Sequence, residues 1–463
     1  MWVTLLLGAL VVVLVYAITH QPDDRGMPPG PKGLPLRNIP QEVKVDVLLN
    51  RLAETYGPLY SVQLGLRRVV VINSSHWLTQ AFVRQGDMFN HRPRGTVLSF
   101  IMGEDRVWRE SRRFTLHVLR DFGMGKSSVE AYVNREVGQP YNLHYDLATS
   151  VLNIVWHMFA GERFAMGDKT LRWIVDSIEK SLTLVEQGGF LNYTPMLYFK
   201  QYENISLHYR FVGLNLIEKH RANLDNPERG FDFIYQYLLE QRRYIPSFFI
   251  PDNQLKWLVS DLFIVGLDTT VTTLRWCFLF LVRHPEIQAK IFQELEANIG
   301  IDRLPTYEDR LRMPYTEAFL TEVFRYGSIT PLALHGNPEE TTLGGYRIPK
   351  RSWLGRIMLC FSSVLSPFVW GDPEIFRPER FLNEEGQLIR SEHVLPFSVG
   401  RRNCLGESLA RIEAFQFLTG MLQKYELGVP EGNTKPSTKF HCGVTLNPCE
   451  FEILLTERSA QAG

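Results

Sequence analysis

The stretch PFSVGRRNCLGESLAR, Pro396 to Arg411, places one cysteine between two glycines, with an arginine two positions before it and a helix-like run directly after. A thiolate is the form of cysteine that binds metals, and backbone N–H groups at a helix N-terminus favour it. The run Leu405 to Leu418 supplies that helix, with Leu405, Leu409, Ile412, Phe415 and Phe417 as its apolar stripe. Gly400 and Gly406 allow the loop close contacts that a Cβ would forbid. Arg402 offers a planar fork suited to carboxylates, and Phe397 is placed to cover the sulfur. A buried, inert thiol is the commonest fate of a free cysteine. The fixed spacing F-x-x-G-x-R-x-C-x-G argues against it, since chance would produce it on the order of once in ten thousand chains of this length.

Around this loop lies a chain of 463 residues, 45% hydrophobic and 22% charged, a balance that permits a large core. Lys plus Arg equals Asp plus Glu, 50 against 50, so the basic field that nucleic-acid binding needs is missing. The five cysteines are odd in number and scattered without a CxxC pair, which argues against a disulfide framework and a structural zinc site.

The N-terminus departs from this globular pattern. Met1 to Ile18 is uncharged and almost wholly apolar, at the short end of what crosses a bilayer. It lacks the basic start and the cleavage site of a signal peptide, so a retained anchor is expected over residues 1–20. The prolines of MPPGPKGLPL predict a stiff linker over residues 21–38, followed by one catalytic domain over 39–463.

The remaining pattern predicts a mainly α fold with a small β portion. Leu59 to Ser75 reads as a hairpin, and long helical spacings run over Leu255–Val282 and Tyr315–Tyr326. Short strands are expected near Gly344–Lys350, Val444–Leu446 and Phe451–Leu455. In LFIVGLDTTVTTLRW, a glycine and successive hydroxyls inside an apolar helix suggest a local opening of its hydrogen bonds.

The cysteine loop resembles that of the cytochrome P-450 family, the haem-thiolate monooxygenases, and further family motifs follow in order. Trp108 and Arg112 stand at the W-x-x-x-R spacing, Asp268 and Thr269 in the acid–threonine motif, and Glu322 and Arg325 in E-x-x-R. Arg380 lies in FRPERF, and His335 lies where the family often has a propionate-binding residue. The resemblance implies haem b buried between the long distal helix and the helix after the cysteine loop. Cys404 is then the iron ligand, with Trp108, Arg112, His335, Phe397, Arg402 and Gly406 around the cofactor. Asp268 and Thr269 take the catalytic, proton-delivering roles. Val265 departs from the family's usual Ala or Gly and is expected to narrow the pocket. Phe263, Val265, Ile329 to Leu334 and Gly443 to Leu446 are the implied pocket walls.

The same resemblance, closest to the animal microsomal branch, implies a monooxygenase acting on a fatty acid, steroid or foreign compound. NADPH-cytochrome reductase would supply electrons, with a small b-type cytochrome as an optional second partner. Arg109, Arg113, Arg120, Lys126 and Arg401 form the expected docking patch. The implied setting is the endoplasmic reticulum membrane, with one N-terminal anchor and the catalytic domain in the cytosol. The chain is short for that branch, with compression expected near Phe100–Trp108, Val137–Tyr145 and Tyr244–Pro251. The alternatives are a haem-thiolate isomerase or dehydratase that uses no reductase, and a degenerate haem-binding protein without turnover.

Overall fold

A computed structural model describes residues 25–31, 45–64, 67–92, 105–121, 127–137, 145–187, 214–226, 232–242, 252–331, 333–350, 357–360, 367–442 and 444–458. The expected anchor, Lys126 and most of the three compressed regions lie outside the described residues.

Five helices place the site: α1 (Asp105–Asp121), α2 (Tyr145–Ala160), α3 (Asp252–Arg283), α4 (Pro314–Gly327) and α5 (Glu407–Lys424). The longest, α3, crosses the main core between α2 and α5. Gly266 is where α2 approaches it: a Cβ there would lie 3.1 Å from Val155 Cγ2. The α3 helix is continuous from Asp252 to Arg283, so the expected opening is absent. Thr269 Oγ1 instead donates to the Val265 carbonyl at 2.7 Å, and Thr273 Oγ1 to that of Thr269 at 2.8 Å. Hydroxyls bonded back one turn satisfy themselves without breaking the helix.

The helix after the cysteine loop is buried almost all round, well beyond the expected stripe, because from Ile412 to Leu422 it runs through the centre of the molecule. Its polar residues therefore need internal partners. Gln416 finds one in the Pro305 carbonyl at 3.2 Å, and Gln423 in that of Gly300 at 2.8 Å.

A second, smaller core lies under a four-stranded sheet ordered β1 (Leu59–Leu64), β2 (Arg67–Ile72), β6 (Ile357–Cys360), β3 (Ala333–His335). The first pair is the expected antiparallel hairpin, with Val62 opposite Val69. β2 then pairs in parallel with β6, and its Val69–Ile72 run is buried on both faces as befits a central strand. Gly344–Lys350 contributes β5 (Tyr346–Ile348), paired with β4 (Thr341–Leu343).

Two expectations shift. The tail forms β8 (Phe440–Cys442) and β9 (Leu446–Pro448), which makes Val444 and Thr445 part of the turn, while β10 (Leu454–Glu457) pairs with β7 (Tyr425–Gly428). The described part of the proline-rich linker also lies on the globular body and does not stand off from it. Ser61 donates from its N–H to the Pro29 carbonyl at 2.7 Å and from its hydroxyl to that of Pro28 at 2.8 Å. Prolines cannot donate, but their extended carbonyls are good acceptors for a strand.

Candidate functional site

The cysteine loop is shaped by what it touches. Gly400 sits at φ +81°, and a Cβ there would lie 2.2 Å from the Phe82 carbonyl oxygen. A short 3-10 turn over Gly400–Arg402 follows, and the Cys404 N–H donates to the Phe397 carbonyl at 2.8 Å. The Phe397 ring meets Phe324 edge-on at 5.4 Å, with the Arg411 guanidinium 4.8 Å from its centroid.

Cys404 keeps an open side although protein surrounds it elsewhere. Burial is the largest influence on its thiol and pushes it up; the Gly406 N–H and the charge of Arg112 pull it down, and Glu407 adds to the rise. The helix N-terminus therefore acts in the expected direction without dominating. A metal reverses this balance, because coordination deprotonates a thiol outright. A Cβ at Gly406 would meet nothing within 4 Å, so the open side extends past the sulfur. One thiolate cannot enclose a bare ion, and it suits iron whose other ligands come with it in a flat macrocycle.

Two guanidinium groups and a histidine gather at this loop. Arg112, from α1, donates to the carbonyl and Oδ1 of Asn403, at 2.8 and 2.7 Å. Its partner Trp108 has two guanidinium groups against its ring, with Arg402 3.3 Å and Arg112 5.8 Å from the indole centroid. Arg402 also donates to the Asn90 carbonyl at 3.0 Å. His335 is buried, stacks on Phe82 at 4.0 Å and has Nδ1 2.9 Å from the Phe89 carbonyl. Burial holds its imidazole well below the usual range, and the charges of Arg92 and Arg402 push the same way. With Nδ1–H given to Phe89, the neutral ring offers Nε2 as an acceptor. It would donate to a carboxylate only as an imidazolium, the form that a nearby anion favours. Like charges gathered at one edge are relieved by an acidic ligand edge, so thiol and cations together fit haem b and its propionates.

On α3, Val265 is 47% exposed although the helix otherwise runs through the core. Thr269 lies one turn on, on the same face. Asp268 is turned away from it. Its Oδ2 accepts from Thr445 Oγ1 at 2.9 Å, and burial pushes its carboxyl up to about 6. The two residues read together from the sequence thus have different partners.

Phe263 is also placed differently from the expectation: it is buried and stacked on Trp156 at 4.7 Å, part of the core. Leu446 is likewise buried, with its N–H bonded to the Ile329 carbonyl at 2.9 Å.

One acid was not anticipated. Glu413, on α5, is buried and accepts from Thr270 Oγ1 at 3.1 Å, while its Oε1 has no hydrogen-bond partner among the described residues. Burial pushes it up to about 8. Its one sequence signal is a carboxylate inside the apolar run that continues AFQFL.

Glu322, Arg325 and Arg380 meet as a structural cluster. Arg325 holds both Glu322 oxygens, at 2.6 and 2.8 Å, and Arg380 Nε donates to Oε1 at 3.0 Å. Both Glu322 and Arg325 are fully buried. Arg325 spends another N–H on the Pro373 carbonyl, so the charges are paired and bonded as burial requires.

Comparison with known proteins agrees with this geometry. The profile of the Cytochrome P450 family matches residues 28–455. Cytochrome P450 2U1 of Rattus norvegicus is 33% identical, covering 98% of this chain and 95% of that protein. Cytochrome P450 2J2 of Homo sapiens is 34% identical over 97% and 95%, and Cytochrome P450 2D20 of Mesocricetus auratus 32% over 99% and 98%. The match to 2U1 runs over 510 positions, more than the 463 residues of the chain, so it opens gaps along this chain. With a lone thiolate loop, a cationic edge and a helical fold matched along nearly its full length, the chain belongs to the cytochrome P450 family, monooxygenases whose cofactor is haem b.

Proposed function

We propose that this monooxygenase inserts one atom of O2 into a lipophilic small molecule, a fatty acid, steroid or foreign compound, with electrons from NADPH delivered by a reductase. The balance is RH + O2 + NADPH + H+ giving ROH + H2O + NADP+. The observation that carries the reading is the one-sided opening at Cys404, backed by the Gly406 N–H and flanked by Arg112.

Haem iron supplies the oxidising chemistry when bound. Cys404 Sγ would hold it, beside the Phe397 ring and the Arg411 guanidinium packed on it. Arg112, Arg402, Trp108 and His335 take the propionate edge. Val265 presents an exposed apolar surface on the helix that the family resemblance puts over the haem, which favours an apolar ligand. Burial brings the Asp268 carboxyl up to about 6, close enough to neutral pH to take up and release a proton, and Thr269 offers a hydroxyl beside the site. Arg109, Arg113 and Arg120 are exposed on α1, the helix whose other face carries Arg112, which suits an acidic reductase surface; Arg401 is exposed and paired with Asp87. The apolar Met1–Ile18 supports an endoplasmic reticulum anchor with the domain, residues 39–463, in the cytosol.

The first test is the absorption spectrum of the reduced protein under carbon monoxide. A red-shifted Soret band in the parent, lost in Cys404→Ala, is the expected result. Its absence from folded parent protein would sink the reading. NADPH-dependent oxidation of dodecanoate with reductase then separates a monooxygenase from an isomerase, which would convert a lipid hydroperoxide without reductase.

A further inference from the structure

The tail turn and the distal helix are joined by a chain of three hydrogen bonds that one turn of α3 closes into a ring. Thr272 Oγ1 donates to Asn447 Oδ1 at 2.7 Å, Asn447 Nδ2 donates to Thr445 Oγ1 at 2.9 Å, and Thr445 Oγ1 donates to Asp268 Oδ2 at 2.9 Å. Thr272 lies one turn past Asp268, so the ring begins and ends on one face of α3. Thr445 and Thr272 are both almost fully buried. Every hydrogen in the chain points toward the carboxyl, an order that polarises each bond in the same sense.

The ring is not needed to fasten the tail. Trp276 Nε1 donates to the Leu446 carbonyl at 2.7 Å, the Arg275 guanidinium to that of Pro448 at 3.2 Å, and the Leu446 N–H to that of Ile329. What sets the ring apart is that it ends on an acid. Val444, beside Thr445 in the turn, is only half-buried, within the segment assigned above to the substrate side.

We propose that Thr445 and Asn447 are positioning residues for Asp268, through which the tail turn governs how that carboxyl holds its proton. The proposal rests on the reading of Asp268 as the distal acid. Donors aimed at a carboxylate favour its charged form. Burial opposes them, Glu179 adds to burial, and Arg275 acts with the donors. A substrate that displaces the turn withdraws the Thr445 donor and loosens that of Asn447, and the carboxyl then holds its proton more firmly. Substrate seating and proton handling would thereby be one event.

The test follows the carboxyl C=O stretching band of the full-length haem protein in lipid nanodiscs, identified by its loss in Asp268→Asn and titrated with pH. Thr445→Val is expected to move the midpoint upward by about one unit. Asn447→Leu should shift it less, in the same direction, and Thr445→Ser should restore it. Peroxide released per NADPH consumed should rise several-fold in Thr445→Val and return to the parent value in Thr445→Ser. An unmoved band in Thr445→Val overturns the proposal, as does an equal shift in Thr445→Ser, which would make the effect one of packing. A band that moves as expected while Asp268→Asn leaves the peroxide ratio unchanged upholds the positioning and overturns the acid role.

Discussion

The carboxyl of Glu413, sealed inside the protein, has one hydrogen bond and no charge-balancing cation among the described residues. Burial therefore keeps it protonated up to about 8, whereas in the unfolded chain it ionises near the ordinary 4.5. Between those values the folded state binds more protons than the unfolded one, so stability falls as pH rises, by roughly 1.4 kcal/mol per unit for this group. Glu413→Gln keeps the shape and cannot ionise. It is expected to unfold like the parent near pH 5 and at a progressively higher temperature than the parent toward pH 8, measured by thermal unfolding across that range. The sequence marked Asp268 and passed over Glu413. A family spacing picks out residues near a shared ligand, but depth inside the molecule leaves no spacing of its own. Asp268 was found, and its partner was not, because Thr445 stands 177 positions away.

At the scale of elements, the cysteine loop is held in place by the π-helical turn Gln80–Arg84. Its Phe82 carbonyl fills the space where a side chain at position 400 would go, and its Phe82 ring stacks on His335. Gly400→Ala combines a left-handed φ with a backbone clash. It should cost about 3 kcal/mol or more and lower the haem bound per protein, checked by denaturant unfolding and by haem content. Gly406→Ala meets no protein atom and should leave the stability of the haem-free chain within about 1 kcal/mol while weakening haem retention. The sequence announced both glycines alike, and only the contacts tell them apart. The long helices were equally plain from their spacing, because core helices of this length repeat the same signal many times. The tail strands were displaced by a few residues, since Val444 and Thr445 are β-favouring residues that read as strand, while the hydrogen bonds that hold Thr445 in the turn come from elsewhere in the fold.

For the whole molecule, α1 faces two ways. Trp108 and Arg112 point toward the cysteine loop, and Arg109 and Arg113 are exposed. A double reversal, Arg109→Glu with Arg113→Glu, should slow reduction by the reductase about tenfold at low salt and flatten its salt dependence, with the carbon monoxide spectrum unchanged, as stopped-flow reduction would record. The Arg112 bonds to Asn403 span 291 positions of chain, and those positions have to be synthesised between the two partners. At cytosolic translation speeds that interval lasts roughly 15 to 60 seconds. Throughout it the nascent chain has made its propionate-edge cation and not yet its thiol, so cofactor capture is among the last events in the protein's biogenesis. Truncation anywhere before the cysteine loop would therefore release a product that lacks α5, the helix at the centre of the core, and has no means of holding iron.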